Sequence, residues 1–290
     1  MSFQSLMFNI GAARSDKKRD SAIPLPEGVT ECRNISYGPF GTESLLDVYY
    51  PEGAPEALPT IVSIHGGGYV YGSKEIYRRY GMDMARRGFA FVNFNYRLAP
   101  KSKFPAPLAD TNAVLHWVAQ NHRRYHLDPD RIILLGDSAG AQLASHYAAS
   151  FTNPEFAKHF DLTLPPVKLR CLGLFCGMYD ASARATAPRK GIFLDYLGKN
   201  LPADDPRIQV LESVTEQYPP AFLATSHYDF LRDSAQPMFE FLTAKVIPDQ
   251  CKCYGSPEAK HVGHVFHVNI LLPEAVQCND DAAAFFRQYV

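Results

Sequence analysis

A buried-strand pattern that breaks into a tight glycine-flanked turn, then resumes at once as a helix, leaves a chain few folds to adopt. Here the apolar run Arg131-Ile-Ile-Leu-Leu135 meets Gly136-Asp-Ser-Ala-Gly140, and the Ala-rich stretch Ala141–Ser150 follows without a linker. The first run is short, β-branched and continuous, as in a parallel strand covered on both faces. The stretch after the turn is rich in good helix formers. So sharp a strand–turn–helix connection strains the backbone of the central residue and lifts its side chain clear of the sheet. Gly136 and Gly140 permit the close strand–helix approach. Ser138 is thereby a candidate nucleophile, although the pentapeptide alone is equally compatible with an ordinary Gly/Ser turn.

The rest of the chain repeats the strand–helix theme. Apolar strand-like runs recur at Leu45–Tyr50, Thr60–His65, Ala90–Asn95, Arg131–Gly136, Arg170–Cys176, Ala221–Ser226 and Gln250–Tyr254. Helix-like segments lie between and after them at Ile76–Arg87, Ala106–Asn121, Ser138–Ser150, Ser234–Val246 and Pro273–Tyr289. Such alternation predicts an α/β domain, a mostly parallel sheet with helices on both faces. Gly38-Pro39-Phe40-Gly41 separates the earliest strands and predicts an antiparallel hairpin at one edge. Two segments stand outside the pattern. Residues 1–27 read as a short helix, with apolar Phe3, Leu6, Met7 and Ile10 at helical spacing, and then an extended linker. Residues 180–218 form an irregular insertion with a short helix at Ile192–Gly198, placed where a lid could cover the active end of the sheet.

Composition excludes several classes of function. A formal net charge of −1 and no basic run longer than Lys17-Lys18-Arg19 argue against nucleic acid or an anionic membrane surface as the main partner. No apolar stretch approaches the roughly 20 residues that span a bilayer. The N-terminus does not read as a secretory signal, so a cytoplasmic location is expected. The six cysteines lack Cys-x-x-Cys spacing and are too sparse for a disulfide scaffold.

His65-Gly66-Gly67-Gly68 leaves the strand Thr60–Ile64 directly. Consecutive glycines let backbone N–H groups converge on one cavity, as acyl transfer requires when charge develops on the carbonyl oxygen. Gly67 and Gly68 are the expected oxyanion donors, joined by the N–H of Ala139, the residue after the nucleophile. A phosphate cradle is disfavoured, because no Gly-Lys-Ser/Thr follows. Ser138 needs a histidine base and a carboxylate, in the chain order Ser, Asp/Glu, His. Asp229 stands three residues beyond the apolar run Ala221–Ser226, as a strand-end acid should, and Asp233 is expected to cap the next helix. His261, His264 and His267 all follow the last strand, and their spacing leaves the choice open. A metal site is disfavoured: the intervening residues are weak helix formers with no carboxylate among them.

His-Gly-Gly-Gly-Tyr at 65–69, Tyr-Arg-Leu-Ala-Pro at 96–100, Gly-Asp-Ser-Ala-Gly at 136–140 and Tyr-Asp-Phe-Leu-Arg-Asp at 228–233 stand in one order. From about residue 30 onward the chain resembles the hormone-sensitive-lipase family of α/β-hydrolases. That resemblance implies a serine carboxylesterase acting on short acyl, acetyl-type esters of small molecules or sugars. It requires no cofactor and no metal. The family's histidine usually stands in His-Gly-Phe, which His264-Val265-Phe266 matches best, with Val for Gly. His261 and His267 stay as alternatives. The resemblance further implies that Tyr96–Pro100 packs beneath the site, that Asp137 steadies the turn, and that Tyr69 lines the acyl pocket. Residues 1–27 and 180–218 would make a small cap. Helix-edge homodimers are common in the family. A peptidase of the same fold and a non-catalytic receptor with a hydrolase-like pocket are the competing readings.

Overall fold

The structure, a computed structural model, describes residues 1–54, 56–179 and 190–290. Its frame is an eight-stranded sheet in the order β1-β2-β4-β3-β5-β6-β7-β8. The strands are β1 (Val29–Ser36), β2 (Leu45–Pro51), β3 (Leu58–Ile64), β4 (Ala90–Phe94), β5 (Leu127–Asp137), β6 (Leu169–Phe175), β7 (Ala221–Ser226) and β8 (Asp249–Tyr254). β1 pairs antiparallel with β2, and β2 with β4, while β4, β3 and β5 to β8 run parallel. The expected edge hairpin is present and opens a parallel sheet.

Among the described residues the α-helices are α1 (Phe3–Ala22), α2 (Arg78–Arg86), α3 (Ala106–Asn121), α4 (Ala139–Thr152), α5 (Pro154–Ala157), α6 (Gly191–Leu197), α7 (Ala235–Ala244) and α8 (Pro273–Phe286). Side chains alternate across the strands into two cores. Val62, Ile64, Ile132 and Leu134 meet Leu115, Leu143 and Leu242 on one face. Ile61, Ile133 and Leu135 meet Met84, Ala282 and Phe286 on the other. Each large side chain so buried contributes about 1.5–3 kcal/mol. Burial on both faces explains why these strands read as continuous apolar runs rather than alternating ones.

Because β3, β5, β7 and β8 are parallel, the loops leaving their C-terminal ends gather on one edge of the sheet. Those loops begin at His65, Ser138, His227 and Gly255. α1 lies over this edge. The Ser2 N–H donates to Asp195 Oδ2 of α6 at 2.7 Å, Asn9 Nδ2 donates to the Val70 carbonyl at 3.1 Å, and Arg19 donates to the Ile76 carbonyl at 2.8 Å. The N-terminal helix runs twenty residues, longer than the short helix its apolar spacing suggested. Its Phe3, Leu6, Met7 and Ile10 face outward and are exposed. In the 180–218 insertion the short helix is present as α6, whereas residues 180–189 lie outside the described residues.

Candidate active site

Ser138 joins β5 to α4 at φ 53° and ψ −118°, a conformation that costs a non-glycine residue about 1–3 kcal/mol. Its N–H donates to the Phe175 carbonyl at 2.8 Å, which ties the turn to the end of β6. At Gly140 a Cβ would sit 2.0 Å from the Ile64 carbonyl oxygen, so only glycine lets α4 start this close to β3.

The loop after β7 carries Asp229 and the loop after β8 carries His264. His264 Nδ1 lies 2.7 Å from Asp229 Oδ1, and its Nε2 lies 2.9 Å from Ser138 Oγ. Asp229 is buried and fully engaged: Oδ1 also accepts from the Leu231 N–H at 2.9 Å, and Oδ2 accepts from the Thr225 hydroxyl at 2.9 Å. Burial works to raise its pKa, but the hydrogen bond and charge of His264, with the Leu231 and Thr225 bonds, outweigh it and hold the carboxyl below its usual value. Of the three histidines, His264 is the one at hydrogen-bond distance from Ser138. His261 is more than half exposed and faces Glu274 Oε2 at 3.8 Å. His267 is buried, with ring centroids 4.7 Å from Phe175 and 5.1 Å from Tyr80. Burial pushes its pKa down to about 3.

Gly67 has φ 116° and a Cβ there would lie 2.1 Å from the Tyr71 carbonyl oxygen, so the loop's bend depends on glycine. Gly66 does not face the cavity with a free donor. Its N–H is held by Asp137 Oδ1 and by the Tyr77 hydroxyl, each at 3.0 Å. Tyr77 in turn donates to Asp137 at 2.7–2.8 Å. Asp137 thus steadies both the turn and the glycine loop, and its burial lifts its pKa to about 6 against the pull of these bonds. Among the described residues, no acceptor meets the N–H of Gly67, Gly68 or Ala139, and all three residues line one cavity with Ser138.

That cavity measures about 620 Å³. Tyr69 lines it, stacked at 3.8 Å on Tyr196, with its hydroxyl 3.2 Å from Gln142 Oε1. Tyr96 packs below the site: its ring stacks on His65 at 4.1 Å and its hydroxyl donates to the His65 carbonyl. The expectation for Asp233 fails. α7 begins without a side-chain cap, and Asp233 is exposed beside Arg232.

Several residues in or beside the site escaped the sequence reading. Phe230 is 73% exposed and places its ring 4.1 Å from that of His264; it lay unweighed within the Asp-Phe-Leu-Arg-Asp stretch. Cys176 is buried with Sγ within 4.8 Å of Asp229 and His264 ligand atoms, and burial together with the Asp229 charge keeps its thiol neutral. Phe8, Ala12, Asp16 and Arg19 of α1 form a wall of the cavity. Arg19 binds Asp16 at 2.9 Å, and Tyr71 donates to Asp16 at 2.8 Å. Their spacing marks a helix face, but its polar make-up hid it.

A serine lifted on a strand–helix turn, with an acid and a histidine from later strands of a parallel sheet, defines an α/β hydrolase. The comparisons narrow the class: the model of the alpha/beta hydrolase fold matches residues 61–268. The chain belongs to this family, in its hormone-sensitive-lipase-like branch. It is 30% identical over 236 residues to the carboxylesterase NlhH of Mycobacterium tuberculosis, covering 76% of this chain and 71% of that protein. It is 26% identical to the acetyl esterase of Salmonella paratyphi A, over 94% of this chain and 81% of the other. The crystal structure of esterase B from Lactobacillus rhamnosis shares the fold, with TM-score 0.85 and 24% identity over 96% of this chain and 91% of that one.

Proposed function

We propose that this carboxylic ester hydrolase cleaves short, acetyl-type acyl esters of small molecules or sugars through an acyl-enzyme on Ser138. His264 takes the Ser138 proton as Oγ attacks the ester carbonyl, and Asp229 holds the Nδ1–H tautomer and balances the imidazolium. The tetrahedral oxyanion forms against the N–H groups of Gly67, Gly68 and Ala139, each contributing on the order of 3 kcal/mol. Collapse expels the alcohol with the proton from His264, and a water activated by the same ring then releases the acid. No cofactor or metal enters this scheme. The observation that carries the reading is the continuous bonding from Asp229 through His264 to Ser138, at 2.7 and 2.9 Å.

Substrate size follows from the cover. α1 and α6 act as a small cap over a cavity of about 620 Å³, walled by Phe8, Ile192 and Phe193 beside Tyr69. An enclosure of that size suits compact esters better than long chains. The test is acid-quenched mass spectrometry after mixing with p-nitrophenyl acetate. One acetyl group is expected on the peptide carrying Ser138, and Ser138→Ala is expected to lose at least about 10⁴-fold in kcat/KM. Unchanged turnover by that variant, or acetylation elsewhere only, overturns the reading.

A further inference from the structure

α1 has two unlike faces. Phe8, Ala12, Asp16 and Arg19 turn into the cavity. On the opposite side Phe3, Leu6, Met7 and Ile10 are 76, 47, 51 and 38% exposed. The same stripe continues through Arg14, Lys17 and Lys18, all exposed. Positions 3, 6, 7, 10, 14, 17 and 18 recur at helical spacing, so apolar and cationic residues share a single outward face. The helix's acids, Asp16 and Asp20, are both bound by Arg19. Arg14, Lys17 and Lys18 carry no ion pair among the described residues.

We propose that this outward face docks on an anionic lipid surface, with Phe3 to Ile10 in the acyl boundary and the three cations on headgroup phosphates. A contiguous apolar patch held in water calls for an occupant. Four exposed apolar residues in the first half of the face and three cations in the second offer apolar area and attraction to anionic headgroups side by side. Charge decides among occupants. A second copy would cover the apolar half but bring another set of cations with no acid on the face to answer them. An anionic bilayer matches both halves. The net charge of −1 pointed away from such a surface because it averages this one-signed face with the rest of the chain. Docked this way, the helix keeps its inner face as the cavity wall.

The proposal rests on the packing of α1, not on the triad, and it is tested without turnover. Full-length Ser138→Ala protein is sedimented with phosphatidylcholine vesicles, with and without phosphatidylglycerol. Binding is expected on the anionic vesicles, and at least about tenfold weaker on neutral ones or in about 0.5 M salt. Arg14→Gln/Lys17→Gln/Lys18→Gln should lower partitioning on the order of 100-fold. Leu6→Gln/Ile10→Gln should lower it at least about tenfold. Made with Ser138 intact, both variants should hydrolyse p-nitrophenyl acetate in free solution at the parent rate. Absence of vesicle binding, or binding that neither variant weakens, overturns the proposal. So does a concentration-dependent dimer lost in Leu6→Gln/Ile10→Gln without vesicle binding, which assigns the face to a second copy.

Discussion

Asp229→Asn separates two duties of one carboxylate. Oδ1 accepts from both the Leu231 N–H at 2.9 Å and His264 Nδ1 at 2.7 Å, whereas Oδ2 accepts from Thr225 at 2.9 Å. An amide offers one oxygen. Turned with NH2 toward Leu231, it sets donor against donor, and a buried unsatisfied donor costs about 1–3 kcal/mol. Turned the other way, NH2 meets the Thr225 hydroxyl, which rotates to accept. The amide oxygen therefore takes the Oδ1 place by about tenfold or more, and His264 keeps the tautomer that leaves Nε2 free for the Ser138 proton. What disappears is charge. Exchanging a carboxylate for a neutral acceptor beside the imidazolium removes about 3–4 kcal/mol at an effective dielectric near 20. The expected loss in kcat/KM for p-nitrophenyl acetate is on the order of 300-fold, short of the roughly 10⁴-fold that a wrong tautomer costs. Thr225→Val alone should cost little, but in the Asp229→Asn background it removes the partner of NH2 and should drive the loss toward 10⁴-fold. A 10⁴-fold loss in Asp229→Asn alone refutes the orientation argument. A loss below about tenfold refutes the role of Asp229.

His261→Ala should stay within about threefold of parent activity, because the residue is exposed and faces Glu274 rather than Ser138; a loss above 10²-fold contradicts the assignment of His264. Gly67→Ala should fold, by circular dichroism, yet lose at least about 10²-fold in kcat as the oxyanion loop shifts from its Tyr71 contact, and full activity would remove Gly67 from that loop's role. Acid should destabilise the fold through buried histidines. Burial lowers His65 to about 4 and His146 and His267 to about 3, against 6.5 for the unfolded chain. The unfolded chain binds those protons first, so stability is full above pH 6.5 and falls below it, by about 2 kcal/mol per histidine at pH 5. Asp137, raised to about 6, runs the opposite way and returns about 1 kcal/mol over the same interval. Urea unfolding should show a net loss of about 4 kcal/mol from pH 7 to pH 5, roughly halved in His267→Phe. A flat profile refutes the burial of these rings as neutral groups.

The sheet was legible because its strands are buried on both sides. Continuous runs such as Ile132–Leu135 admit few other placements, and helix bounds such as Ala106–Asn121 came out as read. Ser138 and Asp229 were legible because a strand end and a glycine turn mark each position on the chain. The histidine was less so: three candidates share one loop segment, and only the resemblance to His-Gly-Phe favoured His264. What tells them apart is tertiary, the bonds of His264 to Asp229 and Ser138 against the exposure of His261 and the aromatic packing of His267. α1 was misjudged for a related reason. Its apolar residues point to solvent, and its packed face is held by Ser5, Asn9, Asp16 and Arg19, which periodicity counts as polar. Tertiary hydrogen bonds, which have no period, did the placing.

Gly140 and Ile64 meet where any side chain would collide, at 2.0 Å from a virtual Cβ to the carbonyl oxygen. The helix behind the nucleophile is thereby seated on the strand that launches the glycine loop, and Asp137 reaches back to hold Gly66. Ser138 and the glycine loop therefore share one mechanical frame, whose internal spacing cannot be adjusted a residue at a time. α1 and α6 meet that frame through Phe8 and Ile192, which pack on Gly68. Selection for new substrates has accordingly one free direction: exchange of residues 1–27 or of the 190–198 segment can re-shape what enters, while libraries at Gly66, Asp137 or Gly140 should return mostly inactive chains.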